Sequence, residues 1–218
     1  MSTFDLIGAD VESYCEAHST PEDGLLYRLN RQTNLETINP RMLSGQLQGL
    51  FLAFISRMMR PSRILEIGTF TGYSALRLAE GLPEDGVLHT VESNEEYEDR
   101  IRDYFSQSPL GKKLKLHIGK AEEIVPGLDE TWDLVFIDAD KEDYQTFYDI
   151  VFPRVRKGGF ILVDNTLWNG KVVHEEAFND RDTKSVGAFN NFVQNDERVR
   201  NLLLPFRDGI MMIEKTQI

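Results

Sequence analysis

A single cysteine, Cys15, stands in 218 residues. A lone thiol excludes an internal disulfide framework and suits a reducing compartment, so a cytoplasmic location is expected. No stretch reaches the roughly 18 uninterrupted apolar residues that a membrane helix needs. The first ten residues hold no Lys or Arg and no long apolar block, so a secretory signal is not expected either. Positive charge is scarce: 24 Lys and Arg face 36 Asp and Glu, a net charge of −12. Nucleic-acid phosphates would be repelled by such a chain, whereas a cationic ligand is not disfavoured. Internal repeats, low-complexity tracts and flexible linkers are also missing. What remains is one sizeable α/β domain, with 41% hydrophobic residues to fill its core.

Residues 1–40 are polar, with apolar positions at helical spacing (Phe4, Ile7, Val11, Leu25, Leu26, Leu29). They predict a helical extension of two short helices that pack on the main domain or on a partner subunit. Thr20-Pro21-Glu22-Asp23 reads as an N-cap followed by proline in the first turn. Residues 41–218 read as the core of the same single domain. Gln46 to Met59 is a helix stopped at Arg60-Pro61. Strand and helix then alternate. Strands are predicted at 63–67, 87–91, 114–118, 134–137 and 160–163. Helices are predicted at 73–81, at 94–107 with Ser93 or Asn94 as cap, at 121–125 and at 142–155. A polar loop over 165–181 leads to a helix at 183–194. Two last strands, 201–206 and 210–214, flank Arg207-Asp208-Gly209, whose Asp-Gly is a hairpin signal. Five βα units and a terminal hairpin give a doubly wound, mostly parallel sheet of seven strands with one strand reversed.

Two strand ends carry chemistry. Leu134 to Ile137 runs into Asp138-Ala139-Asp140-Lys141, and Phe160 to Val163 runs into Asp164-Asn165. Ligands of a parallel sheet sit beyond the carboxyl ends of its strands, so Asp138, Asp164 and Asn165 would surround one point. Three oxygen donors without Cys or His suit a hard cation such as magnesium, manganese or calcium. Each acid alone could equally cap the element that follows. His18, His89, His117 and His174 are scattered, belong to no motif and are assigned no chemistry.

The first strand-to-helix turn reads Glu66-Ile67-Gly68-Thr69-Phe70-Thr71-Gly72-Tyr73-Ser74. Gly68 permits a tight turn and Gly72 a close backbone approach. Phe70 occupies the place of the middle glycine of a dinucleotide fingerprint, which argues against NAD or FAD but leaves room for a nucleoside without phosphates. Glu92 ends the second strand twenty residues after Gly72, where an acid can take both ribose hydroxyls.

These three segments together resemble the cation-dependent O-methyltransferases that use S-adenosylmethionine, the family of plant caffeoyl-CoA O-methyltransferases, animal catechol O-methyltransferase and small bacterial relatives. The resemblance runs from about Met42 to Lys215. It implies the Rossmann-like fold of class I methyltransferases. It also implies that Glu66, Gly68, Thr69 and Ser74 line the methionine end and backbone of the cofactor. Glu92 matches the ribose-binding acid, Ala121 the position beside the adenine, Ser44 a small-residue contact, and Asp140, with Asp138, a cofactor-binding acid. Asp138, Asp164 and Asn165 match the metal ligands, with Asp138 counted as catalytic too. Asn169 matches a substrate-contacting amide and Lys141 the lysine proposed as general base. Phe147 stands where the plant pattern has Tyr.

The resemblance implies methylation of a small catechol-like or caffeoyl-type aromatic, with Trp168 as a candidate wall for its ring. The loop 171–184 mixes Lys171, Arg181 and Lys184 with Glu175, Glu176, Asp180 and Asp182. It holds no basic cluster for the phosphates of CoA, which favours a free phenol. Other readings are an NAD-type oxidoreductase or a non-catalytic nucleoside binder on the same sheet. A homodimer is expected, from the apolar N-terminal positions and from the resemblance.

Overall fold

The computed structural model describes residues 8–174 and 180–217. Phe4 and Ile7 of the expected extension, and Glu175 and Glu176 of the polar loop, lie outside the described residues.

Seven strands form one sheet: β1 (Arg63–Ile67), β2 (Val87–Glu92), β3 (Leu114–Ile118), β4 (Trp132–Ile137), β5 (Val155–Val163), β6 (Val199–Leu204) and β7 (Ile210–Lys215). Their order is β3-β2-β1-β4-β5-β7-β6, and only β7 runs against its neighbours. The central strands are apolar on both faces because both are covered: Leu134, Val135, Phe136 and Ile137 of β4 are all fully buried. On one face Leu29, Leu52, Leu78 and Ile101 pack with Ile64, Leu88 and Phe136. These come from α2 (Gly24–Glu36), α3 (Gly45–Met59), α4 (Tyr73–Ala79) and α5 (Glu98–Gln107). The opposite face joins Tyr144, Tyr148, Phe189 and Val193 to Leu65, Val135 and Ile161. Its helices are α7 (Tyr144–Val151) and α8 (Arg181–Gln194), while the short helix Ala121–Ile124 lies beside β2. β1 lies beside both β2 and β4, so the winding reverses between β1 and β4 and opens a crevice at their carboxyl ends.

Several boundaries differ from expectation. The second N-terminal helix is capped by Asp23, whose Oδ1 accepts the Leu25 and Leu26 amides at 2.9 Å each, and Thr20-Pro21 lies ahead of it. That helix belongs to the core: Leu29 and Thr33 are fully buried, and the Thr33 hydroxyl donates to Thr71 in the turn after β1 at 3.0 Å. The first helix (Ala9–Ala17) buries no residue. The predicted helix 142–155 ends at Val151, because Pro153 lacks the N–H a helix interior needs, and Val155 already pairs with Trp132. Between that pair and Leu134↔Phe160 the ladder shifts register, with Gly158 at φ 70.

Candidate active site

The turn after β1 is tight because both glycines sit at φ 94. A Cβ on Gly68 would lie 2.0 Å from the Asp138 carbonyl oxygen, so only glycine lets β1 and β4 end this close together. Glu92 holds the turn: its Oε2 accepts the Thr69 and Phe70 amides at 3.1 and 2.7 Å, and its Oε1 accepts Asn94 N at 2.8 Å. Phe70, itself at φ 51, packs edge-on against Tyr97. Behind the turn, the Thr69 hydroxyl meets the Thr90 hydroxyl, which donates to Glu66 Oε2 at 2.5 Å. Glu66 is fully buried and its Oε1 has no hydrogen-bond partner among the described residues. Burial pushes its carboxyl up to about 8, against the lowering effect of Thr90.

The next two strand ends continue the same row. Asp138 N donates to Ile67 O at 2.9 Å and Asp164 N to Ile137 O at 3.0 Å. Asp164 is buried, and both its oxygens are engaged: Oδ1 takes Asn165 N at 2.8 Å and Oδ2 takes Gln48 Nε2 at 2.6 Å. Tyr144, from α7, donates its hydroxyl to the Asp164 carbonyl at 2.7 Å. Burial raises the Asp138 carboxyl, the Asp164 charge raises it further, and Lys141 opposes both. Lys141 Nζ lies 3.5 Å from Asp138 Oδ1 and donates to Ala139 O at 2.9 Å. Its partner is thus Asp138, and it also stands 5.9 Å from the Trp168 ring centroid.

Beyond β5 the chain turns sharply, with Asn165, Trp168, Asn169 and Gly170 at φ 54, 48, 53 and 71. Asn accepts that region readily; Trp does so at a cost, which the packing around it must meet. The holding element is the β6–β7 turn. Thr166 N and Leu167 N donate to Gly209 O and Asp208 O at 3.1 and 2.8 Å, and the Asp208 carboxylate accepts Asn169 N. Asn165 turns its amide nitrogen toward Asp208 Oδ2 at 3.4 Å, so its amide oxygen is the atom left for a ligand. Trp168 donates its indole N–H to Asp180, which also takes Lys171 and Thr183.

A cavity of about 1650 Å³ opens over these strand ends. Gly68, Thr69, Ser74 and Glu92 line it at the ends of β1 and β2, Ala121 after β3, and Ser44 at the start of α3. Asp138, Asp140, Lys141, Asp164, Asn165, Trp168 and Asn169 line it from the β4–β5 side. Glu66 stands one layer behind. Among the described residues no group of three or more His, Cys, Asp or Glu gathers as a metal centre. The set here is two carboxylates and an amide oxygen, whose mutual repulsion and hard donors fit a divalent cation.

Four contributors escaped the sequence: Gln48, Arg207, Asp208 and Tyr144. Gln48 was the most visible, as a polar residue in the apolar stretch from Leu47 to Ile55. Two of the histidines that are scattered in sequence meet in space, where β2 and β3 bring His89 Nδ1 within 3.0 Å of His117 Nε2. Burial lowers His89 to about 4, and the pair lies outside the cavity lining.

Over residues 16–216 the chain matches the family described as O-methyltransferase. Caffeoyl-CoA O-methyltransferase 2 of Zea mays is 32% identical over 190 residues, covering 81% of this chain and 71% of that protein. The SAH-bound methyltransferase PaMTH1 of Podospora anserina matches with a TM-score of 0.87 at 28% identity, covering 95% of this chain and 94% of that one. The O-methyltransferase TomG from Streptomyces achromogenes, involved in tomaymycin synthesis and solved in complex with SAM, gives 0.86 at 28% identity over 95% and 96%.

Proposed function

The chain belongs to the O-methyltransferase family, and from that premise we propose that it methylates one hydroxyl of a small aromatic with adjacent oxygens, using S-adenosylmethionine and a divalent cation. The observation that carries the reading is the pair of partly and fully buried acids, Asp138 and Asp164, at neighbouring strand ends beside Lys141 in one cavity.

Transfer from a sulfonium is an in-line displacement: the acceptor oxygen bonds to the methyl carbon as the carbon–sulfur bond breaks. Orientation therefore supplies much of the rate. Ser44, Gly68, Thr69, Ser74, Glu92, Ala121 and Asp140 would hold the donor. Glu66, from behind, would keep the turn in place and act on the methionine end through its neighbours. Asp138, Asp164 and the Asn165 oxygen would hold the cation, which when bound lowers the pKa of an acceptor hydroxyl and fixes its oxygen. Lys141 would take the hydroxyl proton or supply the charge that substitutes for a base. Trp168 and Asn169 would wall and orient the acceptor ring. A free catechol-like phenol is the favoured acceptor, since Asp180 already engages Lys171, and Arg181 pairs with Glu142 at 3.0 Å.

The free, exposed Cys15 supports a reducing compartment, so the cytoplasm is the proposed location. No helix of the described residues is long and apolar enough to cross a membrane. The proposed assembly is a homodimer.

The test is turnover of ortho-diphenols, free and as CoA esters, with S-adenosylmethionine and magnesium. Chelator should abolish turnover and magnesium or manganese restore it. Asp138→Ala and Asp164→Ala should each be nearly inactive, with donor binding surviving in Asp164→Ala. Full activity in excess chelator would overturn the proposal.

A further inference from the structure

Gln48 is 1% exposed, and its amide is used at both ends. Its Oε1 accepts from Arg207 Nη1 at 2.8 Å, and its Nε2 donates to Asp164 Oδ2 at 2.6 Å. The two contacts determine each other. A guanidinium can only donate, so the amide oxygen must face Arg207 and the NH₂ must face Asp164. Arg207 is held in turn, since the same nitrogen reaches the carbonyls of Leu43 and Ser44. Its backbone sits at φ 49 in the turn between β6 and β7.

The outcome is a series of contacts joining three segments far apart in the chain: the hairpin turn, the first turn of α3, and the end of β5. It terminates on a carboxylate whose other oxygen is already fixed by Asn165 N at 2.8 Å. With both oxygens engaged, Asp164 cannot rotate about its Cβ–Cγ bond without losing a hydrogen bond, one of them to a buried amide. Lone pairs remain on each oxygen for a further partner.

We infer that Gln48 and Arg207 are positioning residues for Asp164, and that they set the affinity of this chain for its divalent cation while touching neither cation nor acceptor. The inference rests on the cation-dependent reading proposed above. Hydrogen-bond partners of ligating side chains are worth about 10- to 100-fold in metal affinity where they have been removed. The same contacts could serve only to tie α3 to the hairpin. That role would move stability and leave cation affinity unchanged.

The experiment uses the full chain with Mn²⁺ as probe, counting free ion by electron paramagnetic resonance. The thermal midpoint without metal and the affinity for S-adenosylmethionine are measured alongside. Gln48→Met keeps the bulk and removes both hydrogen bonds. It should bind Mn²⁺ about 10- to 100-fold more weakly, keep its donor affinity, and recover most of its kcat when the ion is saturating. Arg207→Met should move Mn²⁺ affinity in the same direction, and the double variant should be little worse than Gln48→Met, because the two act in series. Should Gln48→Met fail to fold, Arg207→Met at its half-buried position carries the test. Wild-type Mn²⁺ affinity in these variants, whatever their midpoints, overturns the inference. If Mn²⁺ binding is lost in Asp164→Ala and retained in Gln48→Met, the inference alone falls. If the unmodified protein binds no Mn²⁺, or Asp164→Ala binds it equally well, the cation reading falls and takes the inference with it.

Discussion

Glu66 is a buried carboxyl that accepts from Thr90 on one oxygen, with Ser74 beside it also favouring the charged form. In the unfolded chain such a group ionises near 4.5, and in the fold burial moves it up to about 8. Between those values the folded protein keeps a proton that the unfolded chain has released. The stability linked to this group is therefore complete below about pH 4.5 and declines as pH rises toward 8. Ligand-free protein should lose on the order of a few kcal/mol over that range through this group. Thermal midpoints taken from pH 5 to 8 should fall in the wild type and fall less steeply in Glu66→Gln, where the raised Asp138 still contributes; parallel curves would exclude Glu66 as a source. Lys141 invites a kinetic test. Its Nζ stands 3.5 Å from Asp138 Oδ1 in the same cavity, so Lys141→Ala should lower kcat by roughly 10²-fold, the scale of a positioned base. Calorimetry should find donor affinity little changed, and near-normal turnover would reduce Lys141 to a charge partner of Asp138. Residues that end an apolar run or break a glycine turn were legible from their neighbours in the chain. Gln48, Arg207 and Asp208 were not, because their partners (Asp164 for Gln48, Gln48 for Arg207, Asn165 for Asp208) are distant in sequence and only the fold brings them together.

Among the elements, the turn after β1 separates two reasons for needing glycine. Gly68→Ala would set a methyl against the backbone oxygen of Asp138, which cannot swing aside, at a φ that alanine disfavours. Gly72→Ala shares the φ but meets the Phe105 ring edge at 2.9 Å, and a side chain can shift. Urea unfolding should show a loss of about 3 kcal/mol or more for Gly68→Ala and clearly less for Gly72→Ala, the left-handed backbone alone costing roughly 1–2 kcal/mol. Equal losses would mean that the approach of β1 to β4 is not what requires glycine. Element types were readable because buried parallel strands are apolar throughout while their helices keep a polar face. Boundaries failed where a local signal competed with tertiary pairing. Arg156-Lys157-Gly158-Gly159 looks like a turn, yet Val155 ahead of it already pairs with Trp132, and Arg156 Nε reaches back to Asp133 at 2.5 Å.

At the scale of the whole molecule, the mostly parallel sheet with one reversed strand followed from alternation and one Asp-Gly turn, but its surface still carries apolar groups that the monomer does not cover. Val11, Tyr14, Phe54 and Met58 are 51%, 64%, 54% and 72% exposed. Burying such a group removes roughly 25 cal/mol per Å² of apolar surface from water, which supports the proposed pairing of two copies. Light scattering at micromolar concentration should return twice the 25.0 kDa of one chain; the mass of a single chain would refute the dimer. The position of β7 has a consequence for how the site comes into being. β6 is synthesised first, yet its neighbour in the sheet is β7, which lies between it and β5. On the ribosome, β6 must wait for a strand that has not yet been translated. The turn that steadies Asn165 and Asn169 also closes only when β7 docks. The residues proposed to hold the donor, from Ser44 to Asp140, all precede β7 in the chain. The contacts that steady Asn165 and Asn169 therefore belong to the last part of the fold to be assembled, after every other residue of the proposed site has been translated.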